Sequence, residues 1–320
     1  MRSPELSAEE KAALAQLETR LGRLHVRQRL GLERDYEAHI FRKGTHFFHL
    51  ENWYSIHALI RWGLRLAGLH GRGQRNALDI RVQHHDVHIP DLPRAFDGFT
   101  LLHMSDLHVD MSPGFVHALT DRVRSLDYDA CVLTGDYRAR TFGPYAATLD
   151  GMRVLREQLK APVYAVLGNH DSIRMVPGLE GMGIRMLMNE WVKLQRGGES
   201  IHLVGIDDAH YYRVENYHRA AHDVPADAIS ILLSHTPEAY QHAAHAGFSL
   251  MLCGHTHGGQ ICLPGGIPVI TDADCPRAFA RGAWSYHGLL GYTSAGAGSC
   301  IVDVRLNCPP EITLHHLRCA

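Results

Sequence analysis

With 320 residues, 45% hydrophobic content and a formal net charge of −2, the chain has an ordinary soluble composition and can bury a substantial core, as one large domain or a domain with an extension. Seven cysteines without a C-x-x-C pair argue against a disulfide framework and for a reducing compartment, where they read as small buried apolar residues. No run offers the roughly 18 consecutive apolar residues of a membrane span, and MRSPELSAEE lacks the apolar core of a secretory signal, so a cytoplasmic protein is expected.

In chain order, residues 5–30 predict a polar amphipathic helix with Leu14, Leu17, Leu21 and Leu24 at three- and four-residue spacing. A second helix is predicted over 46–69, with Phe47, Leu50, Trp53, Ile56, Ile60, Leu64 and Ala67 on one side and Arg61 and Arg65 on the other. Trp53, Tyr54 and Trp62 give it interfacial character. It suits a membrane surface, and equally packing on the main domain or on a second subunit. Residues 20–75 carry 11 Lys and Arg against 4 Asp and Glu, so this region favours anionic surfaces. GRGQRN at 71–76 reads as a linker, and the main domain is expected over 78–320, after an N-terminal helical extension over 1–77.

From residue 78 onward, short apolar runs alternate with helical patterns, the signature of an α/β fold. Strands are expected at 99–104, 130–134, 163–167, 201–206, 229–234, 249–253 and 300–306. Ser112-Pro113 is expected to open a helix through Phe115, Leu119, Val123 and Leu126. A further helix spans 145–159, and Pro237 begins a short one.

Five of these strands run into chemistry-bearing residues: Ser105-Asp106-Leu107-His108, Gly135-Asp136, Gly168-Asn169-His170-Asp171, His235, and Gly254-His255-Thr256-His257. In an open α/β sheet the carboxyl ends of strands gather on one rim, which turns residues distant in sequence into one cluster. Carboxylate, amide and imidazole donors without thiolate suit Mn²⁺, Fe²⁺ or Zn²⁺. Seven candidate ligands exceed what one four-coordinate ion uses, so two divalent ions are expected. Such a pair, bridged by a carboxylate and a hydroxide, holds a phosphate and supplies the nucleophile for in-line attack. Phosphoester hydrolysis is the reaction that follows.

These segments, D-x-H, G-D, G-N-H-D, H and G-H-x-H in that order, resemble the calcineurin-like metallophosphoesterase superfamily over roughly residues 80–318. The resemblance implies a four-layer α-β-β-α sandwich. It also implies Asp106, His108 and His257 as ligands of one metal, Asn169, His235 and His255 as ligands of the other, and Asp136 as the bridging carboxylate. His170 is similar to the family's catalytic histidine, which protonates the leaving oxygen or stabilises phosphoryl charge, and Asp171 would orient its imidazole. Asn169, Arg138 and Arg174 are candidate substrate contacts, as is Arg140.

Gly-His-Thr-His-Gly-Gly-Gln-Ile, FDGFTLLHMSDLH and PPEITL are similar to the bacterial phosphodiesterase branch related to UDP-2,3-diacylglucosamine pyrophosphatases. Members of that branch commonly carry an N-terminal anchor or twin-arginine signal. This sequence shows neither, and its positive, Trp-bearing 46–75 segment would substitute as a peripheral attachment for a lipid-linked substrate. GDYRAR lacks the second aspartate and glycine of GDYVDRG, which discounts a protein phosphatase. The alternatives are a non-catalytic scaffold of the same fold, a nuclease or a cyclic nucleotide phosphodiesterase. The negative balance of the main domain argues against nucleic acid as a partner. Oligomeric state stays open.

Overall fold

The computed structural model describes residues 8–42, 54–160 and 162–320. Phe47, Leu50 and Trp53 of the second expected helix lie outside the described residues. The first expected helix is two, α1 (Ala8–Leu21) and α2 (Arg23–Arg42), split at Gly22, whose φ of +85° an α-helix does not accommodate. Then follow α3 (Tyr54–Leu66) and α4 (His70–Leu78).

The expected linker at 71–76 is therefore helical. Gly73 serves close approach: a Cβ there would lie 2.7 Å from the Val304 Cβ. The Gly73 carbonyl accepts from Arg305 N at 2.9 Å, and Asn76 Nδ2 donates to Arg305 O at 3.0 Å. The same contact explains why 300–306 is no strand. Val302, Val304 and Leu306 are buried in alternation, Val304 against this helix, and among the described residues the segment's pairing is an isolated bridge from Leu306 to Ile261.

The sheets are built from β1 (Arg81–Ile89), β2 (Thr100–Met104), β3 (Ala130–Leu133), β4 (Val163–Ala165), β5 (Ile184–Met186), β6 (Glu190–Arg196), β7 (Glu199–Gly205), β8 (Ser230–Leu233), β9 (Leu250–Cys253), the short hairpin β10 (Cys262–Leu263) and β11 (Ile267–Pro268), β12 (Gly282–Tyr286), β13 (Leu289–Thr293) and β14 (Glu311–Cys319). One sheet has the order β1-β14-β2-β3-β4-β5 and the other β12-β13-β9-β8-β7-β6. β2 to β5 run parallel in the first, as do β7, β8, β9 and β13 in the second. The sequence reading missed β1 and β14, which pair in parallel along their whole length, because RVQHHDVHI is too polar to read as a strand.

Leu101, Val132 and Val166 from one sheet meet Leu203, Ile231 and Leu252 from the other in a shared core. The outer face of the first sheet packs α1, α2, α5 (Phe115–Val123), α6 (Ala146–Arg156) and α7 (Val176–Gly181). α8 (Tyr217–Ala220) and α9 (Tyr240–His245) cover the second. This is the expected four-layer α-β-β-α sandwich, with helical N-terminal elements. α5 begins later than expected: Gly114, at φ +83°, precedes its first residue, so Ser112-Pro113 forms the preceding turn. Among the described residues no helix is long and apolar enough to cross a membrane.

Candidate metal centre

β2, β3 and β4 of one sheet and β8 and β9 of the other release their carboxyl ends at one rim. Beyond the strands the backbone pairing continues: Asp106 N donates to Gly135 O and His108 N to Asp136 O, both at 3.0 Å. The sheets are then tied to each other, because His255 N donates to both oxygens of Asp106 at 3.0 Å. Loops this close need glycine, and a Cβ at Gly168 would overlap the Asp136 carboxylate. Asp106, His108, Asp136, His255 and His257 all have positive φ, between +41° and +73°. Non-glycine residues are uncommon there, and strain of this kind persists where surrounding structure holds it, often at functional sites.

The side chains form two donor sets that share one carboxylate. Ligand atoms of Asp106, His108 and Asp136 all lie within 4.8 Å of one another, as do those of Asp136, His235 and His255. In the first set His257 Nε2 is 3.1 Å from His108 Nε2 and 3.5 Å from Asp106 Oδ1. In the second, Asn169 Oδ1 is 2.8 Å from His235 Nε2 and 3.0 Å from His255 Nδ1. Spacings near 3 Å match the edges of a coordination polyhedron with bonds of about 2.0–2.2 Å. Backbone carbonyls orient three rings: His108 Nδ1 faces Arg138 O, His235 Nδ1 faces Thr134 O, both at 2.7 Å, and His255 Nε2 faces Asp272 O. Each contact occupies one ring N–H and turns the opposite nitrogen, with its lone pair, into the cluster.

The electrostatics fit a cation. Burial, with the charge of Asp136 beside it, raises the Asp106 carboxyl above its ordinary value. Burial opposes ionisation of Asp136 too, yet His235 and His170 hold it well below the usual carboxylate range. Burial alone would lower His235, but Asp136 and Asp106 outweigh it and push the ring up to about 10. Burial, then neighbouring positive groups, holds His255 and His257 well below 6.5, which leaves them neutral as metal ligands must be. The residues therefore fit divalent metal ions.

His170 stands beside both sets, with Nε2 3.9 Å from Asp136 Oδ2 and Nδ1 3.4 Å from Thr141 Oγ1. Burial lowers it to about 3. The Asp171 carboxylate accepts from the backbone N–H of Asp136, Tyr137 and Gly168 at 2.8–2.9 Å, so it staples two rim loops together. Arg138 is buried, and its guanidinium donates to the carbonyls of His170, Thr141 and Gly143. Arg174 is partly buried and is not among the residues lining the adjoining cavity.

Three residues at the rim went unread in the sequence. Arg305, fully buried, lies 3.1 Å from His257 Nδ1 and also donates to Gly296 O and Gly298 O. Cys300 Sγ is 3.7 Å from His170 Nε2. The His210 ring packs on His255 with centroids 4.2 Å apart, while its Nδ1 contacts Glu238 Oε1 at 2.9 Å. No motif in the sequence marks these three positions. A cavity of about 330 Å³ opens from Asp136, His170, His255 and His257.

The family model for calcineurin-like phosphoesterase matches residues 99–259, half of the chain, and the chain belongs to that family. It is 27% identical over 259 residues to the uncharacterized metallophosphoesterase YkoQ of Bacillus subtilis (strain 168), covering 77% of this chain and 93% of that protein. It is 29% identical over 200 residues to the phosphodiesterase YaeI of Escherichia coli (strain K12), covering 59% and 70%. The UDP-2,3-diacylglucosamine pyrophosphatase LpxG of Chlamydia trachomatis (serovar D) is 24% identical over 293 residues, covering 72% and 87%.

Proposed function

We propose that the rim cluster hydrolyses a phosphodiester or pyrophosphate with two divalent ions, Mn, Fe or Zn. The observation that carries this reading is the Asp136 carboxylate, shared by two separate donor sets on one rim. Asp106, His108 and His257 would hold one ion, and Asn169, His235 and His255 the other. When bound, such a pair neutralises phosphate charge and lowers the pKa of a water for in-line attack.

The protein's own groups supply the rest. His170 hydrogen-bonds the phosphoryl or leaving oxygen, and Asn169 borders the same phosphate. Asp171 and Arg138 act through the backbone as positioning residues, since their polar atoms are committed to the loops that carry Asp136 and His170.

A lipid-linked substrate at an anionic membrane surface is the physiological setting we assign. The similarity to LpxG, the positive balance of residues 20–75 and the exposure of Leu59, Trp62 and Leu66 on α3 support it. Flotation with anionic vesicles tests the attachment: full-length protein should float, and recovery in the soluble fraction would refute it.

The chemistry is tested with bis-p-nitrophenyl phosphate and Mn²⁺. Turnover should depend on metal, and His170→Ala should depress it while leaving metal content nearly intact. Absence of turnover in metal-loaded protein would sink the enzymatic reading. A His170→Ala protein that is metal-free would overturn the role given to that residue.

A further inference from the structure

The cavity beside the cluster has a wall that phosphate chemistry does not use. It is lined by Ile60 of α3, by Ile261, Val269 and Ile270 around the β10–β11 hairpin, and by Ile301 and Val302. None of these six lies in the 99–259 segment that the family model matches. Ile301 is held at φ +66°, a costly conformation for a β-branched residue. Apolar cavities bind hydrocarbon in preference to water.

The surroundings continue the pattern. Among the described residues, eleven large apolar side chains are exposed, and eight of them fall on residues 59–69 or 263–270, the two segments flanking this cavity. Leu59, Trp62 and Leu66 follow three- and four-residue spacing, so they form one outward stripe while Ile60 turns to the cavity. Arg65 is exposed within the same helix, and Arg72 and Arg75 follow it. An apolar stripe edged by arginines complements the acyl region and anionic headgroups of a leaflet.

We infer that this cavity is an acyl-chain slot: the substrate is a phosphoester bearing a hydrocarbon tail, which lies between α3 and the 261–270 segment while its phosphate reaches Asp136 and His170. This rests on the phosphoesterase reading above and adds to it the part of the chain that selects the substrate. α3 thereby has two tasks, its outer stripe meeting the lipid surface and its inner Ile60 forming part of the site.

The test uses full-length protein, Mn²⁺ and a monomeric series of alkyl p-nitrophenyl phosphates from methyl to octyl. For the wild type, kcat/KM should rise by about fourfold per methylene, chiefly through KM, until the chain outgrows the slot. Ile60→Asp and Ile301→Asp should flatten that rise. The readout is the octyl-to-methyl ratio within each preparation, which a misfolded fraction cannot imitate because it lowers both rates alike. Val154→Asp, at an exposed apolar position on α6, should keep both the ratio and the basal rate. Equal kcat/KM for methyl and octyl esters would overturn the slot and leave the phosphoesterase reading standing. A steep ratio retained in both slot variants would place the tail elsewhere and overturn it too. No turnover of any ester by metal-loaded protein would fail the underlying reading, and the slot with it.

Discussion

α2 and α3 belong to the same N-terminal region and meet the rim in opposite ways. α2 is the more polar helix, yet it is the one drawn into the core. Arg29 is fully buried, donating Nη2–H to Asp171 O at 2.8 Å and Nε–H to Glu33 at 3.1 Å, with its guanidinium 3.5 Å from the Tyr212 ring centroid. Glu33 accepts from Ser172 Oγ at 2.6 Å and Ile173 N at 2.8 Å. The loop that carries Asn169 and His170 is thus clamped from behind by charge. α3 is more apolar, yet it exposes Leu59, Trp62 and Leu66. Hydropathy alone ranks these helices the wrong way round, because a buried ion network needs several partners in place and an amphipathic stripe needs only a surface.

The comparison can be broken most sharply at Arg29. Arg29→Met leaves the buried Glu33 without the cation beside it and Asp207 with only the His25 contact at 3.0 Å among the described residues, so denaturant unfolding should show a loss of about 3–5 kcal/mol. Arg29→Lys should not restore it, since one ammonium cannot reproduce the fork that joins Asp171 O to Glu33. A loss below about 1 kcal/mol would show that α2 is held by its apolar face alone.

Next in size is the effect on catalysis. Glu33→Ala should lower kcat by about tenfold with metal content unchanged, because the His170 loop loses its support and not its ligands. Glu33→Gln should recover part of the rate, as its amide oxygen still accepts from Ile173 N. Unchanged kcat in Glu33→Ala would reduce the clamp to a fold element.

pH acts on the rim. In metal-free protein His235 is raised from 6.5 to about 10, so its contribution to stability is complete below pH 6.5 and is lost as pH rises through 10. Metal affinity should climb over the same window as the ring gives up its proton. In the clamp Arg29 is shifted upward, and Asp207 is held low by Arg29 and then by His25, 3.0 Å away, against its own burial. Melting curves of metal-free wild type should therefore fall between pH 6.5 and 10. The smallest effect is expected at α3: Trp62→Ala should change stability by no more than about 0.5 kcal/mol, while reducing retention on anionic vesicles.

The strand-end residues were legible because parallel strands send their carboxyl ends to one rim, so Asp106, Asp136, Asn169, His235 and His255 could be grouped from sequence order alone. What their polar atoms would do was not legible. Asp171 reads as a partner for imidazole and Arg138 as one for phosphate, yet both are spent on backbone groups, which every residue offers and no motif marks. The 71–76 segment read as a linker because glycine signals freedom, whereas at Gly73 it permits contact with Val304. Residues 300–306 alternate like a strand because Val302, Val304 and Leu306 are buried, with Val304 on α4 and Val302 on the cavity. Arg305 was hidden there, a single arginine whose value comes from three backbone carbonyls and one histidine.

The proposed chemistry needs the Asp136 carboxylate to serve two ions that together act on a phosphoester. Metal content per chain, measured alongside Mn²⁺-dependent turnover of bis-p-nitrophenyl phosphate in wild type and Asp136→Ala, tests it most directly. The account predicts about two ions per active wild-type chain, and loss of both metal and turnover in the variant. Full activity with a single bound ion, or an Asp136→Ala protein that keeps its turnover, would contradict it.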